Sequence, residues 1–505
     1  MQELNSRLES LIHRFRVAGA PLVLDVASGA VALLDEVAWD VLPFAVNGMR
    51  VPGDITRLHG AAACASACDE VADLVKEGFF LSRDPLEMDG CAGRDLGHIP
   101  GSEKARPSGI KALCLYVTDL CNMRCEYCFA SGAAYATPGA GNAPPAGAHR
   151  HAPGGMMPRE VARRAVDFLF ENRGRRESVD IDFFGGEPLL NWEVAGDTIA
   201  YAREKGRGEG VKVGLTLTTN ATLLTPEICD YLNDSEVNMV VSIDGRPEVH
   251  DGVRTLASGG SSYGDALRGA RLLASSRTPG AAGTPRASRS HSNDPYLYVR
   301  GTYTHRNLRF VDDVIYLLDL GFDCISMEPV VCSGGHPCAI TASDLPVLSR
   351  EYERLALEYV RRAGSGRPFR FFHFEIDLRG GPCAARRMSG CGAGRDYLAV
   401  SPGGLLYPCH QFIGRDGFAM GDVWDGVTRP SLRERFGAAG VATKPKCRQC
   451  WARYACGGGC HANAHLMSGS IDEPYDIGCE LQKKRIECAI YTRAMLARGR
   501  VQGRA

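Results

Sequence analysis

Charge of a dominant sign is missing from this chain: 58 Lys and Arg stand against 59 Asp and Glu. That balance gives no field to gather a polyanion or an anionic lipid surface, so neither nucleic acid nor membrane is an expected partner. Also missing is any apolar run near the roughly 20 residues that cross a bilayer. The first residues, Met1-Gln-Glu-Leu-Asn-Ser-Arg7, carry an early acid and no apolar signal-peptide core, so a cytoplasmic location is expected. What is plentiful is cysteine. Twenty cysteines among 505 residues, in a reducing compartment, point to metal rather than disulfides.

Their distribution sharpens this. Three form one loop, Cys121-Asn-Met-Arg-Cys125-Glu-Tyr-Cys128, closed by Phe129. Eight more lie between Cys383 and Cys479. The others, Cys64, Cys68, Cys91, Cys114, Cys229, Cys324, Cys332, Cys338 and Cys488, read as small buried or idle thiols.

The length suits two or three domains. Residues 1–83 show short strands at His13–Arg16, Pro21–Asp25 and Ala30–Leu34. Asp35 then caps a helix through Val41 and Leu42, a second helix surrounds Asp69–Lys76, and Glu77–Leu81 reads as a wing strand. This is a small winged-helix pattern. Residues 84–109 read as a linker. From 110 to 345 strand-like and helix-like stretches alternate, as in a βα barrel. The expected strands are Leu115–Thr118, Val179–Phe184, Gly214–Thr218, Met239–Ile243, Leu297–Tyr303 and Cys324–Glu328, with helices such as Arg159–Asn172 and Asp312–Leu320 between them. Six strands make a partial barrel, open on one side. Two low-complexity stretches, Ser131–Met157 and Ser275–Asp294, read as disordered insertions. Residues 346–505 hold the second group of cysteines.

CxxxCxxC is an uncommon spacing. Three thiolates on one short loop can hold three irons of a [4Fe–4S] cube and leave the fourth open to a ligand. Structural zinc instead wants four ligands, commonly in CxxC pairs. The loop follows the apolar run Ile110–Val117 and so falls at the C-terminal end of a strand, where α/β folds place their chemistry.

The loop resembles that of the radical S-adenosylmethionine (SAM) enzymes, and Phe184-Gly185-Gly186-Glu187-Pro188 resembles their GGEP motif. In that family the GGEP backbone and its Glu take the amino group of SAM, which chelates the open iron. The resemblance makes Asn220, Ser242 and Asp244, at the tips of the third and fourth strands, part of the SAM pocket. His250-Asp-Gly-Val-Arg254 is similar to a segment following the SIDG run, Arg300 would point a cation toward cofactor or substrate, and Glu328 is a further polar contact. The implied chemistry is reductive cleavage of SAM to a 5′-deoxyadenosyl radical that abstracts hydrogen from unactivated carbon.

Cys391, Gly404-Leu-Leu-Tyr-Pro-Cys409, Cys447-x2-Cys450-x5-Cys456-x3-Cys460 and Cys479 resemble a SPASM domain, which binds two auxiliary [4Fe–4S] clusters. That resemblance implies one cluster on Cys391, Cys409 and Cys460 and another on Cys447, Cys450, Cys456 and Cys479. Cys383 has two readings: a fourth ligand of the first auxiliary cluster, or a bystander to a cluster left open for a substrate cysteine. The phrases Gly390–Pro402, Leu406–Phe412, Val299–Tyr303 and Leu24–Val31 look like those of the SCIFF-peptide maturases, which make thioether crosslinks in a cysteine-rich peptide. The partners so implied are a precursor peptide, its leader gripped by the N-terminal unit through strand addition, and a flavodoxin- or ferredoxin-type electron donor. The alternatives are an anaerobic sulfatase maturase forming formylglycine and another SPASM peptide-modifying enzyme.

Overall fold

Six parallel strands lie side by side in chain order and frame the molecule. In the computed structural model, which describes residues 11–84, 86, 109–130, 155–277, 296–376, 388 and 390–502, they are β4 (Ala112–Thr118), β6 (Ser178–Gly185), β7 (Lys212–Thr219), β8 (Asn238–Ser242), β10 (Leu297–Tyr303) and β11 (Cys324–Pro329). All six match strands expected from the sequence. β4 does not pair with β11, so the sheet does not close on itself. β12 (Arg370–Phe371) extends it beyond β11. Beyond β4 it gains β13 (Tyr397–Val400), parallel, and then antiparallel β14 (Leu405–Tyr407), β15 (Gly421–Asp422) and β16 (Gly426–Val427). The expected boundary at 345/346 therefore falls where a helix, Leu345–Gly364, begins, and the chain beyond it rejoins the same sheet.

β6 shows why these segments become strands. Val179, Ile181 and Phe183 are buried on one face, while Asp180, Asp182 and Phe184 alternate on the other. The apolar face meets helices such as Arg159–Asn172, where Val161, Ala162, Ala165, Val166, Phe168 and Leu169 make a buried stripe at helical spacing. The expected helix Asp312–Leu320 is found at Phe310–Asp319.

The N-terminal unit has an antiparallel sheet of β1 (Ile12–Val17), β2 (Ala20–Asp25) and β3 (Val31–Leu33), then helices Glu36–Ala45, Gly53–His59 and Ala61–Lys76. Asp35 caps the first helix, accepting from the Ala38 N–H at 2.7 Å. Phe15, Val17, Leu22 and Leu24 belong to the main core, so this sheet is packed onto the body. The expected wing at Glu77–Leu81 is a correction: no strand forms there. The N–H groups of Phe79 and Phe80 both turn back to the Leu74 carbonyl, closing the preceding helix and leaving nothing for a ladder.

Of the expected linker and insertions, residues 85, 87–108, 131–154 and 278–295 lie outside the described residues. The ends that are described are built in. The Asp84 carboxylate is buried against Arg453 at 2.6 Å, and Met157 is buried with its N–H on the Val117 carbonyl. Among the described residues no helix is long and apolar enough to cross a membrane.

Candidate active site

β4 delivers the cysteine loop, and the tip of β6 crosses it at backbone contact. A Cβ on Gly185 would lie 2.4 Å from the Thr118 carbonyl oxygen, and one on Gly186 would lie 2.2 Å from that of Leu120. The Gly186 and Glu187 N–H groups donate to those two carbonyls, each at 2.8 Å. The sequence suggested glycines that let backbone approach a ligand. Here they admit the cysteine loop's own backbone.

The far end of the loop is pinned as well. β5 (Met123–Cys125) pairs antiparallel with β9 (Arg254–Leu256), placing Cys125 opposite Arg254. The Arg254 guanidinium is 3.0 Å from the Asp244 carboxylate and donates toward Cys125 Sγ at 3.7 Å. Asp244 is fully buried; it also accepts from Tyr127 Oη and, at 2.9 Å, from the Thr302 N–H. Its carboxylate holds the loop and is not among the groups lining the cavity described below. Pro188 is likewise off the wall: it is buried and starts a tight turn, Pro188–Asn191.

Cys121, Cys125 and Cys128 face a cavity of about 280 Å³, walled also by Gly185, Gly186, Glu187, Asn220, Ser242, Arg300, Glu328 and His410. Glu187 is fully buried and accepts from Thr219 Oγ1 at 2.7 Å and from the N–H groups of Asn220 at 2.8 Å and Leu189 at 3.0 Å. Burial pushes its carboxyl up to about 6 despite those donors. Asn220 donates to Asn122 Oδ1 at 2.9 Å, tying the tip of β7 to the cysteine loop. Arg300 is half-exposed, 3.8 Å from Glu328. Burial alone would raise Glu328, but His373 at 3.1 Å and Arg485 at 3.4 Å hold it well below the usual carboxylate range.

Burial pushes the Cys121 thiol up to about 11 and the Cys125 thiol up to about 12, and each feels the charge of its loop partners. Thiols in this state need a cation to become thiolates. Among the described residues, no three His, Cys, Asp or Glu side chains are arranged to hold one metal ion. Three cysteine thiols lining one cavity are a donor set that fits three irons of a [4Fe–4S] cube.

The C-terminal cysteines fall into two sets by mutual influence. Cys409 feels Cys460 and Cys391, while Cys479 feels Cys456, Cys447 and Cys450. Cys383 lies outside the described residues. Gly457, Gly458 and Gly459, which link the sets, all have positive φ, between 75° and 97°, a path that side chains with a Cβ resist. A second cavity, of about 990 Å³, opens beside Cys447, Cys450, Cys456 and Cys479 and reaches β1 and Trp39.

Sequence reasoning missed His410, Gln411 and Asn463, which carry the C-terminal unit into the wall of the first cavity. His410 is a cavity-wall ring 4.8 Å from Phe184 and 5.5 Å from Phe129, and burial pushes it down to about 4. Its signal was adjacency: it follows Cys409, as Asn463 follows Cys460 by three.

Residues 115–284 match the model of the radical SAM superfamily. The chain is similar to the radical SAM cyclopropyl synthase TigE of Paramaledivibacter caminithermalis, 27% identical over 36% of this chain and 37% of that protein. It is also similar to the serine-type anaerobic sulfatase-maturating enzyme of Bacteroides thetaiotaomicron, 27% identical over 30% of this chain and 34% of that one. The matches thus span little more than a third of either relative. In fold the chain resembles anSMEcpe, solved with AdoMet and a Cp18Cys peptide, at a TM-score of 0.59 and 18% identity over 77% of this chain and 99% of that one.

Proposed function

We propose that this chain, an enzyme of the radical SAM superfamily, is a peptide maturase that joins a cysteine sulfur to a carbon of a ribosomally made, cysteine-rich precursor of the SCIFF type. One observation carries the reading: the cavity lined by Cys121, Cys125 and Cys128 is lined also by His410 and Gln411, which follow Cys409, and by Asn463, which follows Cys460 by three. A radical site alone needs no second cysteine unit at its wall; sulfur–carbon bond formation has a use for one.

In this reading Cys121, Cys125 and Cys128 hold a [4Fe–4S] cluster. Cys391, Cys409 and Cys460, with Cys383 if it reaches them, hold the first auxiliary cluster, and Cys447, Cys450, Cys456 and Cys479 hold the second. SAM bound at the first cluster supplies a carbon-centred radical able to remove hydrogen from unactivated carbon. The Glu187 carboxylate receives the SAM amino group, backed by the Thr219 and Asn220 donors that fix its orientation. Asn220 and Ser242 offer polar contacts to the rest of the cofactor, and Arg300 orients a carboxylate or peptide carbonyl at the mouth. Phe129 and Phe184 keep water from the reacting centre. The N-terminal unit, residues 1–83, grips the leader of the precursor. A flavodoxin- or ferredoxin-type protein supplies electrons, and the cytoplasm is the setting.

The similarity to a sulfatase-maturating enzyme supports a second reading, oxidation of a Cys or Ser to formylglycine. That chemistry calls for a base, expected to be an Asp. The described wall contains no Asp; its carboxylates are Glu187 and Glu328. This favours the crosslinking reading.

The deciding measurement is iron and sulfide content after anaerobic reconstitution, with SAM cleavage assayed beside it. Wild type should hold about twelve irons, and Cys121/Cys125/Cys128→Ala about eight, at four per cube. Deoxyadenosine production should vanish in the variant. Bound zinc, or SAM cleavage that survives the triple substitution, would overturn the reading.

A further inference from the structure

Lys444 is among the largest side chains wholly removed from solvent, an unusual fate for lysine. Its ammonium donates to the Gly458 carbonyl oxygen at 3.0 Å and to His461 Nδ1 at 3.4 Å. Gly458 sits in the Gly-Gly-Gly link between Cys456 and Cys460, and His461 follows Cys460. The head of Lys444 is therefore plugged into the connector that joins the two C-terminal cysteine sets.

Neither hydrogen-bond partner is an anion, and a buried ammonium without counter-charge is disfavoured. Burial pushes the Lys444 ammonium down from its ordinary value, and the groups that oppose this are Cys447, Asp472, Cys456 and Cys460. Asp472 is half-exposed and lies 3.6 Å from Arg435, which already answers its charge. What remains are cysteine sulfurs, two from one set and one from the other, which become anionic when they hold metal. A site that buries a cation among cysteines of two sets is matched to anionic iron–sulfur groups on both sides.

We propose that Lys444 is a fixed cation shared by the two auxiliary clusters, raising the reduction potential of each and coupling them. This rests on the assignment of both cysteine sets to clusters. A positive charge beside a cluster favours its reduced, more negative state, more strongly where water is absent. The lysine touches no substrate; it is a positioning residue for charge.

The test is an anaerobic redox titration of the reconstituted full chain, following the auxiliary-cluster electron paramagnetic resonance signals in wild type, Lys444→Met, Lys444→Gln and Lys444→Arg, with iron counted in each. In the neutral variants both midpoints should fall by at least the equivalent of a tenfold change in equilibrium constant, 59 mV for one electron. Lys444→Arg should stay near wild type. If the neutral variants lose C-terminal iron while Lys444→Arg keeps it, the charge is needed even to assemble the clusters, and the proposal stands. Full iron with unmoved midpoints in Lys444→Met or Lys444→Gln overturns it, as does a fall in only one cluster. A wild-type chain with only about four irons would instead overturn the assignment of clusters beneath it.

Discussion

One methyl group at Gly186 is enough to part the two backbones that build the active site. Its Cβ would meet the Leu120 carbonyl at 2.2 Å, and backbone cannot rotate aside as a side chain can. Gly186→Ala should therefore push the cysteine loop off the tip of β6, costing about 1–3 kcal/mol, the usual range for overpacking. Iron at the loop and SAM cleavage should be lost while the eight C-terminal irons expected at four per cube stay. Iron counting with a chemical denaturation curve checks this. Unchanged iron at the loop would mean that the loop tolerates the shift. Asp244 makes a related point. From sequence it reads as a pocket residue at a strand tip. Two of its partners, Tyr127 and Thr302, stand far from it in the chain, and only Arg254, ten residues on, is near, so the local pattern did not reveal that its carboxylate is engaged inside.

Among elements, those written in local periodicity were legible, and those decided by competition for hydrogen bonds were not. All six central strands were foreseen because β-branched and aliphatic residues alternate with polar ones or run without break. The wing at Glu77–Leu81 is apolar at Phe79, Phe80 and Leu81, yet its N–H groups serve the end of a helix. The helix Gly53–His59 was missed because it buries no residue fully and only Ile55 packs against the neighbouring apolar cluster, too little for a visible apolar stripe. The alternation in β6 carries a pH consequence. Asp182 faces the inner side of the sheet, and burial, with Asp180 adding to it, pushes its carboxyl up to about 6. An acid whose folded pKa is raised binds more protons folded than unfolded. Its stabilising effect is thus greatest below the unfolded value and is lost as pH rises through about 6. Asp182→Asn should remove this slope. Relative to wild type the variant should gain roughly 2–3 kcal/mol between pH 4 and pH 7, the free energy of about two pKa units. Urea denaturation at several pH values measures it. A difference independent of pH would show that Asp182 keeps its ordinary acidity in the folded chain.

At the scale of the whole molecule, the two cysteine regions and the N-terminal sheet share one apolar core, to which buried polar ties are added. The shared cavity was not legible in the sequence, because it depends on β13 returning to pair with β4 across more than two hundred residues. The Asp84 tie was hidden in a stretch that reads as linker. Its carboxylate meets the Arg453 guanidinium at 2.6 Å and also accepts from Tyr454 Oη, both beside the Cys447, Cys450, Cys456 and Cys479 set. The Arg453 side chain is only 1% exposed, so Asp84 supplies a carboxylate to a buried charge that also donates to the Cys450 carbonyl at 3.0 Å. Asp84→Leu should cost about 3–5 kcal/mol, and Arg453→Met a similar amount, whereas the double variant should recover much of the loss because both members of the buried ion pair are gone. The same cycle should appear in function. Either single variant should loosen the neighbouring cysteines and shed about four of the twelve irons expected at four per cube, leaving SAM cleavage intact. Denaturation curves and iron counts on the four proteins of the cycle measure both effects. Strictly additive losses would show that Asp84 and Arg453 act separately.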